Sequence, residues 1–263
     1  MSFRTEIGDQ VGKQVWRVVV AGGAAAVFTA VAAVPAGAVE GGVSFSRVQV
    51  NGGKPIVIGA SEVRVPASFR MATTRAWRHP SVFLYRSGAD GRLMHAIETS
   101  DCIKASSSIC DFNETMIFNP SIWGMRNSEA GVWKVAAEVY FKGGGWDMDD
   151  KGLTVYVKRA SRLTVNASPE PVSKGRTITV TGKVTRANWE ARKYVSYGGG
   201  VVRLQFKPAG AASYTTVKKV QANGSGDLRT TVKASKTGTW RWVHYGNTIT
   251  GPSASSGDSV VVK

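Results

Sequence analysis

Beyond residue 42, apolar positions recur with a period of two in short runs, separated by clusters of Gly, Pro, Asn and Asp. That spacing belongs to strands, whose side chains alternate between two faces, and the interrupting residues favour turns. The clearest run is 131–141, where Trp133, Val135, Ala137, Val139 and Phe141 fall on one face and Lys134, Glu138 and Tyr140 on the other. In the C-terminal half, Val202, Leu204 and Phe206 alternate with Arg203, Gln205 and Lys207, and Leu228, Thr230 and Val232 with Arg229, Thr231 and Lys233. The stretch 176–184 is rich in Thr and β-branched residues, which suit a half-buried strand. Helical periodicity is almost absent, so the pattern predicts an all-β protein.

The pattern also repeats. Gly131-Val-Trp-Lys-Val135 matches Gly238-Thr-Trp-Arg-Trp242 at a shift of 107, and the same shift carries Leu153-Thr-Val155 onto Val260-Val-Val262. The openings Val48-Gln-Val50 and Leu163-Thr-Val165 need a shift nearer 115, so the first unit is longer, and the segment around Cys102 and Cys110 accommodates the excess. The repeat divides the chain into a unit over 39–159 and a second over 160–263, with the boundary at Lys158-Arg-Ala-Ser-Arg162. Two such units with short strands and frequent turns predict two tandem immunoglobulin-like antiparallel β-sandwiches, with Trp133 and Trp240 at matched core positions. Small barrels are the alternative architecture.

The segments Leu163–Val184, Val202–Lys207, Tyr214–Lys218 and Gly238–Arg241 resemble those of secreted actinobacterial Ig-like proteins, and Val50–Gly59 resembles the opening of the domain that often precedes them. The resemblance implies the sandwich fold and export. It implies no activity, and no site residue carries over from it.

Residues 1–17 carry Arg4, Lys13 and Arg17, and an uncharged run of Val, Ala and Gly follows, ending Pro35-Ala-Gly-Ala38. A basic start, an apolar run and small residues at 36 and 38 are the marks of a signal peptide over 1–38, with a retained membrane anchor as the alternative. The expected location is therefore outside the cell, secreted or associated with the envelope. In an oxidising compartment Cys102 and Cys110 are expected to pair as a disulfide closing a short loop.

Charge is uneven. The whole chain has 34 Lys and Arg against 18 Asp and Glu, but residues 39–159 carry net +3 while 160–263 carry net +12, with only Glu170, Glu190, Asp227 and Asp258 as acids in the second unit. By strand parity Arg203, Lys207, Arg229, Lys233 and Arg241 point away from the core, and with Lys218 and Lys219 they are expected to form one electropositive sheet face. Such a field attracts polyanions. A solvated face that keeps sheet edges unpaired is the plain alternative. The stretch 186–200, with Trp189, Tyr194 and Tyr197, is the candidate contact loop, and Tyr214 and Tyr245 also interleave with the charge. In the plain alternative Trp189 and Tyr197 cap one end of the core.

Chemistry is poorly represented. Only His79, His95 and His244 could serve as imidazole bases, and no Gly-x-Ser-x-Gly elbow opens a helix. His79 is expected at a turn before Pro80. Asp147, Asp149 and Asp150 form the densest acidic cluster, a weak candidate for Ca²⁺, which prefers six to eight oxygen ligands. Two cysteines are too few for a zinc or iron–sulfur site. The expectation is a non-enzymatic binding or structural protein without a cofactor. Its expected partners are anionic cell-envelope polymers or carbohydrate, with no evident small-molecule substrate. A calcium-stabilised module, an inhibitor of a secreted enzyme and a hydrolase are the alternatives.

Overall fold

The computed structural model describes residues 42–86, 93–95, 98–99, 101–150 and 152–263. The predicted leader, 1–38, lies outside the described residues. The first sandwich comprises β1 (Val43–Val50), β2 (Ile56–Ile58), β3 (Val63–Thr73), β4 (Trp77–Tyr85), β5 (Leu93–His95), β6 (Glu98–Thr99), β7 (Ile103–Lys104), β8 (Ile109–Phe118), β9 (Gly131–Phe141), β10 (Trp146–Asp149) and β11 (Thr154–Arg159). One sheet runs β1-β3-β8-β6 with β7 also on β8. The other runs β2-β11-β9-β4-β5 with β10 on β9. Pairing is antiparallel apart from β2 against β11.

The alternation read from the chain explains the packing. Trp133, Val135, Ala137, Val139 and Phe141 all face inward and are buried, against Phe69, Phe112, Met71 and Met116 of the opposite sheet. Phe69 stacks on Phe112 at 4.9 Å, and Trp77 meets Phe112 edge-on at 5.4 Å. Glu114 breaks the apolar rule. It is buried between the sheets, and its Oε2 accepts the Val82 N–H at 2.8 Å, just past the irregularity in β4 where pairing slips between Arg78 and Ser81. The slip leaves a backbone donor that a buried carboxylate can satisfy.

Cys102 and Cys110 are bonded, Cα–Cα 5.2 Å, closing the β7–β8 hairpin. A loop this short gives about 2–3 kcal/mol on the chain-entropy account. Beside it, Arg70 forks onto Asp111, with Nε to Oδ1 at 2.7 Å and Nη2 to Oδ2 at 2.6 Å. The hydrogen bonds from Arg70 hold the Asp111 carboxyl below its ordinary value of 3.8. A lowered folded value gives stability that is present above pH 3.8 and lost as pH falls through the folded value. Urea unfolding from about pH 5 to pH 2 should therefore show Asp111→Asn losing less stability over that interval than the parent; parallel curves would assign no acid sensitivity to this pair.

The second sandwich comprises β12 (Ser161–Leu163), β13 (Asn166–Ser168), β14 (Thr177–Asn188), β15 (Lys193–Ser196), β16 (Val201–Pro208), β17 (Thr215–Gln221), β18 (Asp227–Lys233), β19 (Gly238–His244), β20 (Ser253–Ala254) and β21 (Asp258–Val260). One sheet is built on β14, which pairs β13 and β18 along its first half and β12 and β15 along its second. The other runs β17-β16-β19-β20 with β21 on β19. Both units therefore share the immunoglobulin-like plan, and both are open sandwiches rather than barrels. In each, the penultimate strand is flanked by a broken closing strand, β10 and β11 in one, β20 and β21 in the other.

Trp133 and Trp240 are each the third residue of the penultimate strand and each is buried. The match of the closing strands needs correction. Val157 lies opposite Gly131, and Val260 lies opposite Gly238, so Val260 is the counterpart of Val157 and not of Leu153. A run of valines reads alike at several shifts; the hydrogen-bond register separates them.

One residue, Ala160, separates β11 from β12, and the joint is buried, not a solvated polar linker: Arg159 and Ser161 are both among the buried polar residues. Arg159 Nε donates to the Ala187 carbonyl at 2.6 Å, and its backbone exchanges hydrogen bonds with Ile249 and Gly251 of the second unit. Burial, with Arg186 nearby, lowers the Arg159 guanidinium to about 10.

Candidate functional site

Strand parity sets the outer face of the β17-β16-β19-β20 sheet. On β16, Val202 and Leu204 are buried, so Arg203, Gln205 and Lys207 point outward. On β19, Trp240 and Trp242 are buried, so Arg241 points outward, opposite Gln205. On β17, Lys219 lies opposite Arg203 and shares its face, whereas Lys218 lies opposite the inward Leu204 and is exposed at the sheet edge.

This outer face is organised by ring contacts. The Arg241 guanidinium carbon sits 3.7 Å from the centre of the Tyr214 ring, with Lys207 Nζ at 5.3 Å from the same ring. Arg203 sits 4.5 Å from the centre of the Tyr245 ring. Gln205 links the two ring contacts: its Oε1 accepts from Arg241 Nε at 2.9 Å and its Nε2 donates to the Tyr245 hydroxyl at 3.0 Å. Gln205 is buried beneath this layer although it lies on the outer side of the sheet. The amide thus orients one guanidinium and one phenol.

Among the described residues no carboxylate neutralises this face. Asp227 is bound to Lys183 at 3.3 Å and to Asn223 at 3.2 Å, Asp258 accepts the Ala167 N–H at 2.5 Å, and Glu190 accepts from Asn127. Glu170 lies in the connection between β13 and β14. Among the described residues Arg203, Lys207, Lys219 and Arg241 have no ion-pair partner.

The single basic face expected from the sequence is divided. Arg229 and Lys233 do point outward on β18, but β18 pairs β14, so they lie on the opposite sheet, with the core between them and Arg203. Period-two parity says which way a residue points and nothing about which sheet its strand joins.

The candidate contact loop also needs correction. Trp189 is wholly buried, not a surface aromatic. It follows β14 and plugs the core of the first sandwich, its Nε1 donating to the Ile58 carbonyl at 3.1 Å and its backbone N–H to Asn127 Oδ1 at 3.0 Å. Tyr194 packs against that same core, with Arg162 over its ring at 3.7 Å. Tyr197 lies under Arg186 at 4.2 Å and against the edge of His244 at 5.7 Å. Trp189 and Tyr194 build the joint, whereas Tyr197 packs against the core of its own sandwich.

The histidines are dispersed. His79 is not at a turn but within β4, at φ 48°, in the irregularity before Ser81. His95 lies on β5. His244 is buried, its Nδ1 at 2.9 Å from the Val201 carbonyl oxygen. Asp147 and Asp149 lie on β10, and Asp150 just beyond it accepts from Tyr85 and from the Gly152 N–H and lies 3.8 Å from Lys134 Nζ. Among the described residues no three His, Cys, Asp or Glu side chains come together as a metal site.

No family model matches the chain, and no curated protein matches it. Among solved structures it is similar to the dimeric latent PorU of Porphyromonas gingivalis, at 10% identity and a TM-score of 0.29, over 87% of this chain. The match spans 21% of PorU. It is also similar to the D00–D0 domain of intimin, at 16% identity and a TM-score of 0.27, over 83% of this chain and 99% of that one.

Proposed function

We propose that the protein is an exported, non-enzymatic binding module of the cell envelope or its surroundings that holds an anionic polymer on the outer face of the β17-β16-β19-β20 sheet. One observation carries the reading: Arg203, Lys207 and Arg241 are held against Tyr245 and Tyr214, with no carboxylate among the described residues to neutralise them. Cations that only kept the domain soluble would gain nothing from being ordered in this way. Stacking on a ring and, for Arg241, a hydrogen bond donated to Gln205 reduce the freedom a side chain loses on binding. The face is open and exposed, which suits a long chain laid across a sheet better than a small molecule enclosed in a cleft.

The test is retention of the intact protein on immobilised heparin across a salt gradient. Polyanion binding releases counterions, so affinity should fall linearly on a log–log plot. The combined Arg203→Gln, Lys207→Gln and Arg241→Gln variant should elute earlier and show a shallower salt slope. Arg229→Gln with Lys233→Gln, on the opposite sheet, should change little. If both variants lose retention in proportion to charge removed, net charge and not this face is responsible. If the parent protein flows through at low salt, the reading fails.

A further inference from the structure

We infer that the polymer taken by this face is a single extended chain in which isolated oxyanions alternate with short polyhydroxylated carbon segments, as in an alditol phosphate. This rests on the polyanion reading above and narrows it.

The first argument is the way the guanidinium groups are presented. A guanidinium lying on an aromatic ring has one face covered, and its N–H edges lie in the plane, where they can fork onto a phosphate or carboxylate. Arg241 uses its Nε–H on Gln205, which leaves its two terminal nitrogens for the ligand. Arg203, on Tyr245, lies opposite Val243 of β19 and Lys219 of β17 and has no carboxylate beside it. Both arginines are thus set for discrete oxyanions.

The second argument is spacing. Arg203, Gln205 and Lys207 are alternate residues of β16, about 7 Å apart per step. Arg241 stands beside Gln205 on the neighbouring strand and fills the middle step with charge. The cations therefore recur about every 7 Å along the strand direction. A row on one sheet face meets chiefly one strand of duplex DNA, which carries one charge per about 3.4 Å of axis, so about half of those charges would find no partner here. Inorganic polyphosphate is similarly crowded. A chain with a few carbons between successive phosphates dilutes its charge to match.

The third argument is what separates the cations. Between Arg203 and Arg241 lie the Tyr245 ring, its hydroxyl and the Gln205 amide, and Tyr245 is 54% exposed. An apolar ring beside hydroxyl and amide groups offers nothing to a second charge. The ring offers a surface for C–H groups, and the Tyr245 hydroxyl a hydrogen bond for a ligand hydroxyl, while the buried Gln205 amide is occupied in holding Arg241 and Tyr245.

The experiment is direct titration of the full-length exported protein with three probes of equal total charge at one ionic strength: poly(glycerol phosphate), inorganic polyphosphate and duplex DNA. Poly(glycerol phosphate) should bind most tightly. Tyr245→Leu should weaken it roughly three- to tenfold, the size expected for one ring that both stacks on a cation and contacts the chain, and weaken polyphosphate binding less, since polyphosphate loses only the ring's hold on Arg203. Because Tyr245 is more than half exposed, an unchanged melting temperature serves as the folding control. If the three probes bind alike and Tyr245→Leu has no selective effect, the alditol phosphate assignment falls while the polyanion reading stands. Tightest binding to duplex DNA overturns it in favour of nucleic acid. Failure of all three to bind removes both.

Discussion

Trp189→Ala will cost about 3–5 kcal/mol, the range for removing a large buried aromatic, and will split a single thermal transition into two. The side chain belongs to the β14–β15 hairpin of the second sandwich, yet it is wholly buried in the core of the first. Truncation leaves a cavity there and removes one of the Ile58 carbonyl's two donors, so that Ile58 O keeps the Ala160 N–H at 2.8 Å. What remains of the joint is smaller: Ala187 and Tyr194 against the first core, the Asn127 hydrogen bond to Asn188, and the Arg159 contacts with Ala187, Ile249 and Gly251. The two cores are otherwise separate clusters, and Trp189 is the largest side chain that the second unit places in the first, so its removal takes away most of the packing that couples them. Calorimetry decides the matter: one transition with a shift below 1 °C in the variant would mean that Trp189 merely fills space.

The sequence and the structure part company in an orderly way. Which residues of a strand face the core was legible, because alternation is local: Trp133 to Phe141 and Val202 with Leu204 point as their spacing requires. The outward direction of Arg203, Lys207, Arg229, Lys233 and Arg241 was legible for the same reason. The partition of those residues between two sheets was not, since it depends on β18 pairing β14 while β16 pairs β19. Gln205 could be placed on the outer face by parity, but its role depends on Arg241 and Tyr245, 36 and 40 residues away. Trp189 was the hardest. Its hydrogen-bond acceptor is 131 residues earlier in the chain, and a Trp flanked by Asn188, Glu190 and Arg192 reads either as a contact-loop residue or as a cap on the core of its own unit, with nothing local to place it in the other one. The missed signal lay in Asn127, whose side chain both accepts from Trp189 and donates to Asn188, a pairing between units that no local pattern encodes.

Gly182→Ala should destabilise the second sandwich by about 3 kcal/mol, the upper end of what one inserted methyl costs in a packed site. A Cβ there would stand 2.2 Å from the Thr164 carbonyl oxygen and 2.8 Å from Trp242 Cδ1. Neither neighbour can yield cheaply. Thr164 is tied to Lys183 in both directions: its N–H donates to the Lys183 carbonyl at 3.0 Å and its hydroxyl oxygen accepts the Lys183 N–H at 2.9 Å. Trp242 is wholly buried, with its Nε1 donating to the Thr181 carbonyl at 3.0 Å. The change lies far along β14 from Ala187 and the joint, so its reach tests the coupling that Trp189 supplies. With Trp189 present, a weakened second sandwich should drag the first, and amide exchange in β9 should accelerate along with that in β19. In the Gly182→Ala, Trp189→Ala double variant, β19 should still exchange faster while β9 keeps the rate of the Trp189→Ala single variant. Equal acceleration of β9 in both backgrounds would show that the two cores are coupled through something other than this tryptophan.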